Sequence, residues 1–198
     1  MKLQHYKSGE KNIMKKTFTK IIKPITKIRP LLGHVHYTNE RIDLTDSHVA
    51  IIEELKTPLE NSFDILINLE GVPSVAHYPE LKRLVPVDNQ NIFVIDIPML
   101  EAITKINKKE SYIKLESDGT IGGQKVGEFE RLEGFKYIAF NPKYVLWLLE
   151  YAKESGQKEH ITIELSDSAV MPAVVHFEQP ETLNTFIITP VKLRDDQI

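Results

Sequence analysis

Lys16-Thr17-Phe18-Thr19-Lys20-Ile21-Ile22-Lys23-Pro24-Ile25-Thr26-Lys27-Ile28-Arg29-Pro30-Leu31-Leu32-Gly33 is the stretch whose reading decides the fold. Phe18, Ile21, Ile22, Ile25 and Ile28 recur at three- and four-residue intervals, the spacing of one buried helical stripe. At about 100° per residue, Lys16, Lys20, Lys23 and Lys27 fall on the opposite side within a band ~60° wide. The segment reads as an amphipathic helix with an apolar floor and a row of lysines, kinked or restarted at Pro24 and ended by Arg29-Pro30. A row of this kind is often no more than a solvated face. A membrane surface is another use, but the stripe is narrow and lacks Trp.

The charge around this helix is unevenly spread. Residues 1–29 carry nine basic side chains and one acidic, a net +8, whereas the other 169 residues hold 16 basic and 27 acidic, a net −11. The overall −3 therefore conceals a basic entrance on an acidic body, the pattern of a surface that meets a polyanion. At 41% hydrophobic and 27% charged residues, the 198-residue chain belongs with ordinary globular proteins rather than disordered ones. With no cysteine, disulfide scaffolds, thiolate zinc sites and cysteine nucleophiles are excluded, and a reducing, cytoplasmic setting is expected. The longest strong apolar run, residues 144–149, is far short of the ~18–20 residues a membrane span needs. Residues 1–6 lack the apolar core of a secretory signal, and residues 1–14 are expected to form a mobile extension.

Beyond Gly33 the period changes to two. Strands are predicted around Val35 and Tyr37, Ile42 and Leu44, and over residues 49–55 and 63–69, with corners at residues 39–41 and 46–47. Residues 71–86 are punctuated by proline and hold a short helical turn near 80–84. A strand at 91–97 leads into a second helix at 98–107, its stripe made by Met99, Leu100, Ile103 and Ile106. Hairpin strands follow up to Phe140, then a third helix at 141–154, capped by Asn141, with Val145, Leu148, Leu149 and Ala152 inward. Trp147 falls off that stripe, either as an exposed contact or half-buried. Alternating segments at 161–165, 174–177 and 186–188 close the chain. The class is α+β with sequential antiparallel pairing, divided at 15–91 and 92–198.

The order of these pieces resembles the DNA sliding clamps, and above all the β subunit of bacterial DNA polymerase III. The helix at 20–28 with its internal proline and the Arg29-Pro30 corner are similar to a clamp's opening helix. Ile42-Asp43-Leu44-Thr45-Asp46-Ser47-His48 resembles the strand and corner that follow it, and Tyr78-Pro79-Glu80-Leu81-Lys82-Arg83-Leu84-Val85-Pro86 resembles the end of a clamp domain. Phe140-Asn141-Pro142-Lys143-Tyr144-Val145-Leu146, Ile163-Glu164-Leu165-Ser166-Asp167-Ser168 and Thr189-Pro190-Val191-Lys192-Leu193 match the last helix, following strand and tail. The pieces together span about two thirds of the chain.

The resemblance implies a processivity-fold architecture, with antiparallel sheets outside, helices lining an inner face, and two clamp-type domains. It implies a non-catalytic processivity factor without cofactor or metal, encircling double-stranded DNA without sequence preference as a homo-oligomeric ring. Its partners would be a DNA polymerase and clamp-loader-type proteins, with no membrane role. Lys16, Lys20, Lys23 and Lys27 would face the phosphates, and Arg29 holds the family's DNA-touching corner position. Lys105, Lys108, Lys109 and Lys143 are further candidates, although lysines at helix ends are common in any case. Tyr144, Pro190, Val191 and Leu193 would border a partner-peptide pocket, with Thr189 and Val191 standing where bacterial clamps usually carry methionines. The alternative for the tail is that Val191 and Leu193 simply point into the core. The alternative for the whole chain is a clamp-derived interaction protein of a phage or mobile element that modulates replication without encircling DNA.

Enzymatic readings have little to stand on. His34-Val35-His36 places two imidazoles on one strand face, with Asp46 or His48 as further ligands, but no motif fixes a third. Gly122-Gly123-Gln124-Lys125 lacks the phosphate-loop pattern. Asp43 and Asp46 read as solvent-facing carboxylates beside strand corners.

Overall fold

The computed structural model describes residues 14–87 and 89–194, so the extension expected at 1–13 lies outside the described residues. Helix α1 (Lys16–Ile25) is followed by β1 (His34–Thr38), β2 (Arg41–Thr45), β3 (Val49–Leu55), β4 (Asp64–Asn68) and the two-residue β5 (Pro73–Ser74). β6 (Asn91–Asp96) enters α2 (Ile97–Ile106), which leads to β7 (Ile113–Glu116), β8 (Thr120–Ile121), β9 (Gln124–Lys125) and β10 (Gly127–Arg131). β11 (Tyr137–Phe140) enters α3 (Pro142–Glu154), which leads to β12 (His160–Leu165), β13 (Ala173–Glu178) and β14 (Thr182–Ile188).

The chain thus repeats one plan, a helix and then antiparallel strands, and the second part holds two such units interlocked. β6 runs beside β12 over six residue pairs, from His160↔Asp96 to Leu165↔Asn91, while β11 lies beside β7. Each entering strand therefore lies against a strand of the other unit. The first part is a single unit: β4 folds back on β1, from His34↔Asn68 to Thr38↔Asp64, in the place that β6 takes beside β12. The parts are joined by β3 and β14, paired over seven residues from Thr182↔Leu55 to Ile188↔Val49. The result is a ten-stranded sheet, β10-β6-β12-β13-β14-β3-β2-β1-β4-β5, with a smaller sheet, β11-β7-β8-β9.

The helices form one layer, with α3 packed against both α1 and α2. Phe18, Ile21 and Ile22 of α1 share a buried cluster with Leu148 and Tyr151 of α3, Phe177 of β13 and Phe186 of β14, so one core runs through both parts. β3 shows how the sheet is sandwiched: Val49 and Ile51 join that cluster, whereas Ala50 and Ile52 face a second one made with Tyr78 and Leu81. Alternation along a strand sends neighbours to opposite faces, so the 78–84 segment covers the side that the helices do not.

Local chemistry sets the helix ends. α1 runs through Pro24, which sits in its last turn, and Thr26 closes it by donating its hydroxyl to Ile22 O at 2.9 Å. Gly33 follows because a Cβ there would stand 2.5 Å from Thr26 Oγ1. α2 and α3 both begin with proline in the first turn behind a capping side chain, Asp96 accepting from Met99 N and Asn141 from Lys143 N. Three stripe residues depart from the expected burial. The helix stops at Ile25 and the chain turns out of phase, leaving Ile28 76% exposed. Ile106, the last residue of α2, and Met99 in its first turn are also exposed. Trp147 is buried, because α3 is covered on more than one side.

Candidate functional site

The first candidate surface is the outer side of the helix layer. Lys16, Lys20 and Lys23 are exposed on α1, and Lys27 and Arg29 are exposed just beyond it. Lys16, Lys23 and Lys27 have no acidic partner among the described residues, whereas Lys20 Nζ pairs with Glu150 Oε2 of α3 at 2.6 Å. Arg29 donates from Nη1 to Ser47 Oγ at 2.6 Å. Lys15 points the other way: it pairs with Glu53, which also accepts from the buried Tyr151 hydroxyl, and its ammonium lies 4.7 Å from the Tyr151 ring. Burial and the Glu53 charge hold that phenol protonated. Lys15 is therefore a fastener between α1, β3 and α3.

On the far side of α3, Glu101 of α2 takes Lys153 at 2.7 Å and Lys105 at 3.1 Å, and these two lysines hold its carboxyl below the usual range. Lys108 and Lys109 are exposed past the end of α2. The lysines expected from the sequence thus share one layer, with Lys20 and Lys105 engaged by acids of that layer.

The second candidate surface lies where the two parts meet. His48, at the corner between β2 and β3, stacks on Tyr144 of α3 with ring centroids 5.3 Å apart. Tyr144 in turn meets Trp147 at 5.3 Å, and Lys143 lies over both rings, 4.3 Å from Trp147 and 5.1 Å from Tyr144. The tail is tied to the same place. Thr189 donates both its N–H and its hydroxyl to His48 O at 2.9 Å, and Val191 N–H donates to Ala139 O at 2.7 Å. Tyr144, Pro190 and Val191 are half-buried there, while Leu193 is turned inward and buried. Burial, reinforced by the Asp46 charge, pushes the Tyr144 phenol up to about 12.

Sequence reasoning missed His48 as a wall of this junction. Its signal was the corner Thr45-Asp46-Ser47-His48, weighed only as a source of metal ligands. The strained corner itself is plain in the backbone, with Ser47 at φ 83° and Asp46 Oδ1 accepting from His48 N and Val49 N. Asp46 is consequently buried and so is Asp43, which corrects their reading as solvent-facing carboxylates. Asp43 is drawn in by Arg41 Nε at 2.7 Å and His36 Nδ1 at 3.3 Å. The two histidines expected on one face go separate ways: His34 Nδ1 lies 2.9 Å from Pro30 O, and His36 sits between Asp43 and Asp64. Among the described residues, no group of three or more His, Asp or Glu stands together as a metal site. No helix of the described residues is long and apolar enough to cross a membrane.

Comparison with known proteins identifies the architecture. The fold is similar to a DNA polymerase sliding clamp from Bacillus subtilis, at TM-score 0.65 and 16% identity over 91% of this chain and 62% of that one. It is similar to the DNA polymerase III β subunit from Thermotoga maritima, at 0.66 and 16% over 91% and 63%. It is also similar to the DNA polymerase III β chain from Streptococcus pneumoniae, at 0.64 and 20% over 96% and 68%. The chain thus spans less than two thirds of the length of the first two. No family model and no curated sequence matches it. The expected fold class is therefore correct: α+β in the sliding-clamp architecture.

Proposed function

We propose that the chain is a clamp-type scaffold for replication, without catalytic activity of its own. It holds double-stranded DNA against α1 without reading sequence, and takes partner enzymes, a DNA polymerase and clamp-loader-type proteins, at the His48–Tyr144 junction. The observation that carries this reading is the exposed, unpaired set Lys16, Lys23 and Lys27 beside Arg29, on a chain whose other 169 residues are net −11. Phosphate contacts by such lysines give affinity through counterion release and leave the protein able to slide. The fold alone would not decide function. In this proposal the parts meet as two clamp domains near residues 91 and 92, several copies close a ring, and the setting is cytoplasmic.

Duplex binding by fluorescence anisotropy tests the assigned face. The triple variant Lys16→Glu, Lys23→Glu, Lys27→Glu should lose binding, and the triple change to Ala should make the log–log salt slope shallower by about 2–3, near 0.9 per lost contact. Wild-type binding by both variants would remove DNA from this face. Retention on circular but not linearised DNA at matched salt would establish encirclement.

One observation favours a second reading, a clamp-derived adaptor that binds DNA and partners without closing around the duplex. The outermost β5 and β9 have two residues each, and the first part holds a single helix-and-strand unit. Edges this short offer little backbone for joining sheets between copies. Equal loss from circular and linear templates, with lysine-dependent binding intact, supports the adaptor.

A further inference from the structure

We infer that the junction selects partner peptides that carry a carboxylate next to their apolar anchors; this rests on the reading of the junction as a peptide site. The floor of the junction is aromatic and aliphatic: the Tyr144 ring with His48 stacked on it, Trp147 beneath, and Pro190 and Val191 of the tail. Apolar anchors bind such a floor without regard to charge. The rim is what discriminates. Lys143 holds its ammonium over the Trp147 and Tyr144 rings, leaving it exposed at the mouth with no acidic partner among the described residues. Arg29 is fixed beside the same corner by its bond to Ser47, the residue before His48. His48 has a side chain 60% exposed and adds a positive charge whenever it is protonated.

Acid is missing from this rim. The nearest carboxylate, Asp46, is buried and committed to the backbone N–H groups of His48 and Val49. A cationic rim is out of character for the body of the chain, where acids outnumber bases 27 to 16 beyond residue 29. It is therefore complementary to an acidic segment, and the same charges disfavour a basic one. Lys143 acts as the main selector because its stem is held by two rings, so little freedom is lost when a carboxylate docks.

The test uses labelled ten-residue peptides with fixed Leu and Phe anchors and one neighbouring position varied among Asp, Asn and Lys, titrated against the full chain. The Asp peptide should bind at least about fivefold tighter than the Asn peptide at low salt, and the Lys peptide more weakly than either. In Lys143→Glu, and more so in Lys143→Glu with Arg29→Glu, the order should reverse while the Asn peptide keeps its affinity. Both substitutions are at exposed positions, and thermal melting checks that the fold is kept. Equal binding of all three peptides overturns the charge selection and leaves the peptide site standing. Failure of every peptide overturns the peptide site itself. Displacement of a bound peptide by a single-stranded oligonucleotide that also needs Lys143, with no preference among peptides, would assign the rim to nucleic acid instead.

Discussion

Both ring nitrogens of His36 face carboxylates, Nδ1 at 3.3 Å from Asp43 Oδ2 and Nε2 at 2.8 Å from Asp64 Oδ1. A neutral imidazole has one N–H, so the two contacts together require an extra proton on the ring or on a carboxylate. Burial pushes the Asp43 carboxyl up, against the pull of Arg41 and His36, which helps the cluster keep that proton. Because its folded value is raised, the share of stability from Asp43 is whole in acid and declines as pH rises through that value. His36→Ala would leave Asp43, whose Oδ1 already lacks a partner, more isolated in the core. The expected loss is about 1–3 kcal/mol in urea unfolding, and clearly more than for Asp64→Asn at the exposed side. Equal, negligible losses would contradict the cluster. Tyr144 gives a second residue-level test. Its phenol, pushed up to about 12, should titrate well above an ordinary tyrosine in the absorbance difference between wild type and Tyr144→Phe. Its contribution to stability is full below the ordinary tyrosine range near 10 and is lost as pH rises through about 12. The histidine spacing was legible in the sequence. The partners of His36 were not, because Asp64 comes from β4, 28 residues away.

Among the elements, α3 is the pivot, touching α1 and α2 and carrying the junction at its first turn. Its cap is Asn141, so Asn141→Ala should cost about 1 kcal/mol in unfolding and weaken anchor-peptide binding with it. Unchanged stability would mean that the cap is redundant. The tie from α3 to α2 through Lys153 and Glu101 has a definite pH sign. Glu101 is held below its ordinary value, so its contribution is present above about pH 4.3 and disappears as pH falls through the lowered value. Glu101→Gln should flatten that acid loss by no more than about 1 kcal/mol, since the pair is partly exposed. Helix starts were readable because proline and a capping side chain stand together at each of α2 and α3. The end of α1 was not, since the isoleucine rhythm continues to Ile28 while the backbone leaves the helix at Ile25.

At the scale of the molecule, the β3–β14 seam and the shared core make the two parts one cooperative body. Amides of β3 and β14 should show matching hydrogen-exchange protection, at the highest level in the chain. Markedly faster exchange on either side of the seam would mean that the parts open independently. The clamp architecture was legible from ordered fragments, because corner, cap and tail residues each have local physical jobs. The pairing of β6 with β12, and the single unit standing first, were not, since strand partnership over such distances leaves no periodic mark.

The interlocked strands also set a timetable for the nascent chain. β3 is complete at residue 55, but its partner begins at residue 182; β6 ends at residue 96, and β12 begins at residue 160. At about 5–20 residues per second, β3 waits roughly 6–25 s on the ribosome with an open, apolar edge. The last strand made is therefore the one that shuts the sheet. Until it emerges, the newborn chain is a natural client for chaperones that shield unpaired strands.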